Sequence, residues 1–248
     1  MDKLVISVMV KNEENNIIDT LEPFVIFGLK NFHIYDTGST DDTVSKLKEY
    51  FSNRELNGII SEGSFVNFAV SRNKCIELAK EFFPGLFILM IDSEWYAKGI
   101  EELIKHINKL SELNGKFDYC NITLKSGYVF KHSRLFFPGT NAIFVGAVHE
   151  YIQGVSSNLN VPNTFYMEYK PKKSSKERWY RDLSILTKEY DERKNPRDVF
   201  YLGQTYDCLN MVELAVKYYL ERGKMKNGFI EEQYMAMYRA GKLTGFMS

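Results

Sequence analysis

Residues 86–91, Leu-Phe-Ile-Leu-Met-Ile, form a run of large apolar side chains that stops at two acids, Asp92 and Glu94. Pro84-Gly85 precedes the run. A short apolar stretch bounded by a turn signal fits a strand buried on both faces of a parallel sheet better than a piece of helix. The acids then emerge at the carboxyl end of that strand, the edge where open α/β sheets bind ligands. Carboxylates at i and i+2 on such an edge can hold a hard divalent cation, and the cation can hold phosphates. Two solvated acids in a loop is the plainer alternative, because Asp and Glu are mostly exposed.

The residues before this run repeat a strand-then-helix pattern. Leu4 to Val10 is β-branched and apolar and reads as a first strand. A helix through Ile17, Ile18, Leu21 and Val25 comes next, with Pro23 expected to kink or break it. Residues 32–35 read as a second strand, ending in Asp36-Thr37-Gly38-Ser39-Thr40-Asp41-Asp42-Thr43. Ser39 or Thr40 is suited to cap the next helix, which carries Val44, Leu47 and Tyr50-Phe51 on one side. Residues 58–61 are a third short strand, and a helix with Val70, Ile76, Leu78-Ala79 and Phe82 leads to residues 86–91. Repeated β-α-β units imply a parallel sheet, and the right-handed crossover rule puts the four strand ends on one edge.

The middle of the chain changes character. Residues 99–113 show helical apolar spacing through Ile100, Leu103-Ile104, Ile107 and Leu110. Short β segments come after them at 119–124, 128–130, 134–137 and 143–148, punctuated by Gly and Pro, and predict antiparallel strands added to the parallel half. The class is therefore α/β with a mixed sheet flanked by helices. Residues 170–176, Lys-Pro-Lys-Lys-Ser-Ser-Lys, read as a polar linker, with a polyanion contact as the alternative use of that basic cluster. Helical patterns then run over 178–193, 197–209, 212–224 and from Ile230 onward, so the boundary is set between 1–172 and 173–248. Leu202-Gly203, Tyr206, Ala215 and Tyr219 stand at the offsets of a tetratricopeptide-type helix pair.

Totals exclude several classes. Lys+Arg and Asp+Glu both number 32, which argues against a nucleic-acid binder driven by bulk charge. The three cysteines are odd in number and far apart, which speaks against a disulfide framework. The start Met1-Asp2-Lys3-Leu4 lacks the layout of a signal peptide, and no apolar run reaches membrane-spanning length. A reducing, cytoplasmic setting is the expectation.

Several stretches together resemble one family. Ile6-Ser7-Val8-Met9-Val10-Lys11-Asn12-Glu13-Glu14, Asp36 to Thr43, Phe68-Ala69-Val70-Ser71-Arg72-Asn73 and the acids after Ile91 occur in the order seen in family 2 glycosyltransferases of the GT-A (Rossmann-like) fold. Ser133-Arg134-Leu135-Phe136, Val148-His149-Glu150 and the helical tail from Asn195-Pro196 resemble the branch with C-terminal tetratricopeptide-like helices. The resemblance implies an inverting hexosyltransferase that uses a nucleotide-diphosphate sugar, a UDP-sugar in the first place, with Mn²⁺ or Mg²⁺. The acceptor is then a hydroxyl or thiol on a glycan, peptide or small molecule.

By that resemblance Val10, Asn12 and Glu13 line the nucleotide pocket, and Asp36 accepts from the base or ribose. Capping its own loop is the alternative role for Asp36. Gly38 lets the backbone turn tightly beside the ligand. Arg72 pairs with phosphate or with Asp92, Asn73 bonds the nucleotide, and Ser93 and Arg134 complete the donor-binding set. Asp92 and Glu94 match the DxD signature, with Glu94 as metal ligand, Asp92 on ribose and metal-bound water, and His149 as a further ligand or diphosphate contact. The chain departs from the pattern here: the second acid is Glu94, and Trp95 stands where an acid commonly comes next. Glu150 takes the acceptor's proton, as inverting transfer requires. Two rival functions remain: a nucleotide-sugar binding protein that does not catalyse, and a scaffold whose residues 176–248 dock a protein partner.

Overall fold

A computed structural model describes residues 3–113, 116–155, 159–170 and 175–245. The linker reading at 170–176 and the boundary at 172 fall largely outside the described residues. The elements in chain order are β1 (Leu4–Val10), α1 (Ile17–Ile26), β2 (Asn31–Asp36), α2 (Thr43–Asn53), β3 (Asn57–Glu62), α3 (Phe68–Phe82), β4 (Phe87–Ile91), β5 (Trp95–Lys98) and α4 (Ile100–Leu110). Then come β6 (Tyr119–Ser126), β7 (Tyr128–Phe136), β8 (Ile143–Val145), β9 (Tyr151–Gln153), β10 (Tyr166–Tyr169), α5 (Ser175–Arg193), α6 (Pro196–Cys208), α7 (Val212–Lys224) and α8 (Ile230–Gly245). Contacts divide the chain into two compact units, one of residues 1–66, 70–144 and 152–172 and one of residues 67–69, 145–151 and 173–248.

The first unit is a mixed sheet in the order β3-β2-β1-β4-β7-β6-β10-β5. β3, β2, β1 and β4 are mutually parallel, and β7 turns antiparallel beside β4. This is the mixed α/β sheet expected from the sequence, with helices after it. The chain builds outward from β1 to β2 and β3, then returns to place β4 on the other side of β1. That reversal makes a topological switch point between β1 and β4.

Every residue of β4 is buried, because helices cover both faces. On one face Leu4, Ile6 and Val8 of β1, Phe32 and Ile34 of β2, and Phe87, Leu89 and Ile91 of β4 form one core with Leu21 and Phe24 of α1, Phe51 of α2 and Leu103 of α4. Each such side chain contributes roughly 2 kcal/mol on burial. Pro23 lies inside α1 without ending it. Gly99 opens α4 in the left-handed region at φ 73°, and a Cβ there would stand 2.0 Å from the Thr164 carbonyl oxygen. No other residue fits that approach.

The opposite face holds a polar cluster. Ser7 Oγ lies 3.1 Å from His33 Nδ1 and 3.2 Å from Cys75 Sγ, and His33 Nε2 lies 2.8 Å from Ser61 Oγ. Burial pushes the His33 pKa down to about 4 and the Cys75 thiol up to about 12. The imidazole is therefore neutral in the folded protein.

In the second unit, α6 packs on α7 and α7 on α8. Gly203 admits this approach, since a Cβ there would come within 2.6 Å of the Tyr219 ring. Among the described residues no helix is long and apolar enough to cross a membrane. A separate two-stranded sheet joins β8 and β9.

The neutral His33 gives a pH signature. Its folded pKa lies below the unfolded 6.5, so its contribution is intact above pH 6.5 and is lost as pH falls toward 4. The loss is on the order of 3 kcal/mol. Urea unfolding at several pH values should show this fall in the wild type and a flatter profile in His33→Gln. Parallel profiles would mean that His33 titrates alike in both states.

Candidate active site at the β1–β4 edge

The loops after β1 and β2 are latched together by short polar side chains. Asn12 adopts a left-handed backbone, φ 55°. Its N–H donates to Ser39 Oγ at 2.9 Å, and its Oδ1 accepts from the Thr40 N–H at 2.7 Å. The Glu13 N–H donates to Thr43 Oγ1 at 2.8 Å, and the Glu14 N–H donates to Asp41 Oδ2 at 3.2 Å. Asp36, almost fully buried, closes its own loop: Oδ2 accepts from the Ser39 and Gly38 N–H groups at 3.0 and 3.3 Å, and Oδ1 from Ser39 Oγ at 2.5 Å. Gly38, φ 99°, supplies the turn. Ser39 and Thr40 thus hold Asp36 and Asn12 rather than cap α2, whose N-cap position is Asp42.

Beside this latch, Asp92 stands just past β4 and is gripped from beneath. Arg72 of α3 donates Nη1 to Oδ1 at 2.7 Å and Nη2 to Oδ2 at 3.2 Å, a bidentate pair. Arg134 of β7 donates Nη2 to Oδ2 at 3.5 Å. The arginine side chains are 5% and 4% exposed and that of Asp92 31%, so the carboxylate is the face the cluster presents to solvent. Partial burial opposes ionisation of Asp92, but the two guanidinium charges and the Arg72 hydrogen bonds outweigh it and hold its pKa well below 3.8. A fixed anion over two cations can orient sugar or ribose hydroxyls as an acceptor, while the excess positive charge favours phosphate nearby.

The other expected residues are more enclosed. Val10 is buried in the core, and its carbonyl accepts from Thr37 N–H and Oγ1, both at 2.9 Å. Glu13 is buried and accepts from Asn16 Nδ2 at 2.8 Å. Asn73 is occupied on both sides of its amide by the Phe144 backbone, at 2.8 Å each. Ser93 is buried, and its carbonyl accepts from Thr20 Oγ1. Glu94 is half-buried, and its carbonyl accepts from the Lys170 N–H at 3.1 Å. Trp95, unexplained by the DxD pattern, begins β5 and is buried under Arg134, whose guanidinium lies 5.0 Å from its ring. Alternation of Trp95 and Ala97 inward along β5 is the signal that marks it as core.

Among the described residues no group of three His, Cys, Asp or Glu side chains stands ready to hold a metal ion. Both Asp92 oxygens already accept from guanidinium groups, and two fixed positive charges oppose a divalent cation at that carboxylate. Asp92 therefore does not fit as a direct ligand.

His149 and Glu150 belong to the second unit. His149 is exposed, has φ 52°, and stacks on Tyr201 with ring centroids 4.1 Å apart. Glu150 is half-buried.

No family model matches the chain, and no curated protein matches it. Solved structures that it superposes on include S. aureus TarS 1–349 in complex with UDP-GlcNAc, at 12% identity over 97% of this chain and 89% of that one, TM-score 0.48. The same fragment in complex with UDP gives 13% identity, 98% and 88% coverage and TM-score 0.47. S. aureus TarS itself gives 11% identity, 97% and 54% coverage and TM-score 0.49.

Asp92→Asn should leave two buried guanidiniums with weaker compensation and cost about 2–3 kcal/mol at pH 7, read from the urea midpoint. Arg72→Met should cost less, about 1–2 kcal/mol, because Arg134 still faces Asp92. An Asp92→Asn variant as stable as the wild type would mean that the cluster is not ionised as described.

Proposed function

We propose that the protein is a glycosyltransferase that takes a sugar from a nucleotide-diphosphate sugar. One observation carries this reading. At the switch point between β1 and β4, where open α/β sheets bind nucleotides, a latched polar loop pair stands beside an ionised, solvent-facing Asp92 backed by Arg72 and Arg134. Asp92 orients hydroxyls of the donor, the two arginines fix Asp92 and bias the edge toward phosphate, and the loops carrying Asn12, Asp36 and Gly38 wall the nucleotide.

The finer reading is an inverting transfer. The acceptor oxygen or sulfur forms the new bond at the anomeric carbon as the bond to the diphosphate breaks, and Glu150, assigned from the sequence pattern, takes the acceptor's proton. Glu94 is the residue that would hold Mn²⁺ or Mg²⁺, and the chemistry such an ion would supply is charge neutralisation of the leaving diphosphate. The helices α5–α8 are read as a tetratricopeptide-like appendage, on the close packing of Gly203 against Tyr219. A cytoplasmic setting and a UDP-sugar donor belong to the same proposal.

Thermal unfolding with UDP, UDP-GlcNAc and other nucleotide-diphosphate sugars, each with and without Mn²⁺, tests it. Ligand at about a hundred times its dissociation constant should stabilise by roughly 2.7 kcal/mol. Glu150→Gln should keep that shift and lose turnover, by the ~10²-fold typical of a lost general base. Binding without turnover with any acceptor would favour a non-catalytic nucleotide-sugar binder. No shift with any donor would remove the reading.

A further inference from the structure

Arg197 stands where helix physics does not favour it. α6 begins with Asn195 as N-cap, whose Oδ1 accepts from the Arg197 N–H at 2.9 Å, and Pro196 occupies the first helical position. Arg197 is thus in the first turn, where the helix dipole disfavours a cation. Its side chain is only 17% exposed, and Nη1 donates to the buried Glu232. The guanidinium carbon lies 5.0, 4.9 and 5.4 Å from the ring centroids of Tyr151, Tyr201 and Phe229. The remaining arm, Nη2, donates to the His149 carbonyl oxygen at 2.7 Å.

That carbonyl belongs to the peptide unit joining His149 to Glu150. His149 is left-handed at φ 52°, a conformation that is strained for a non-glycine residue and persists only when its surroundings hold it. The hold comes from within the second unit. Val148 is buried with Leu186 and Leu202, the His149 ring stacks on Tyr201, and Gly146, φ 99°, turns the chain 3.8 Å from Arg197 Nε by its would-be Cβ.

We propose that Arg197 is the positioning residue of the His149–Glu150 turn: its guanidinium, set by Glu232 and the aromatic rings, fixes the peptide plane from which Glu150 projects. The proposal rests on the reading of Glu150 as proton acceptor.

The test uses the full chain with Arg197→Met, Arg197→Lys and Glu232→Gln. Amide hydrogen exchange across residues 147–151 should rise at least tenfold in Arg197→Met, less in Glu232→Gln and least in Arg197→Lys, with α7 unchanged. With a donor that shifts thermal unfolding, kcat should fall about tenfold in Arg197→Met while KM for the donor holds, and Arg197→Lys should recover part of it. Unchanged exchange in Arg197→Met and in Glu232→Gln overturns the positioning. Faster exchange with wild-type kcat also overturns it, leaving Arg197 a structural clamp. A wild type without turnover removes the transferase reading instead, and the exchange result then decides whether Arg197 holds the turn.

Discussion

Strands β1, β2 and β4 leave no face to water, and the placement of nearly every polar group in the parallel half depends on that constraint. A strand buried on both faces admits polar side chains only where partners meet them or where the strand ends. The first solution gives the Ser7–His33–Cys75 cluster, sealed between sheet and helix. The second gives Asp36 and Asp92, each at the last turn of backbone before solvent. Neither carboxylate is loose. One closes its own loop through backbone N–H groups, and the other lies against two guanidiniums.

The two acids differ in what they offer a ligand. Asp36 is almost fully enclosed, so its loop presents backbone and the small side chains around it. Asp92 is partly open and rigid, because Arg72 binds it in bidentate fashion and Arg134 is itself fixed against Trp95 and Phe144. Rigidity of this kind lowers the cost of orienting a bound group, since the side-chain entropy is given up on folding. A buried arginine pair with a single carboxylate is poor as pure stabilisation, because the desolvation of the charges offsets much of their attraction.

Much of the parallel half is legible in the sequence because each strand is a continuous apolar run and each helix shows its period. The second half is less so. β5 and β10 have four residues each and pair with each other across the chain, and the inward Trp95 and Ala97 are the whole of the local signal in β5. β7 reads as two pieces because Lys131, His132 and Ser133 interrupt its apolar pattern, yet Lys131 Nζ donates to Thr123 Oγ1 on β6 at 2.9 Å and the strand continues. The site residues are visible by type, but not their partners. Arg72 and Arg134 meet Asp92 across separations of 20 and 42 residues, and only the fold decides that meeting. Arg197 carries no motif at all; its significance lies in the carbonyl it reaches.

The burial of Cys75 and Cys120 has a practical side. Both are enclosed, with thiol pKa values pushed up to about 12, so neither offers a thiolate at neutral pH. Cys208, on α6, is exposed. The unaltered chain therefore carries a single thiol open to maleimide, and a fluorophore attached there reports on the helix that bears Arg197.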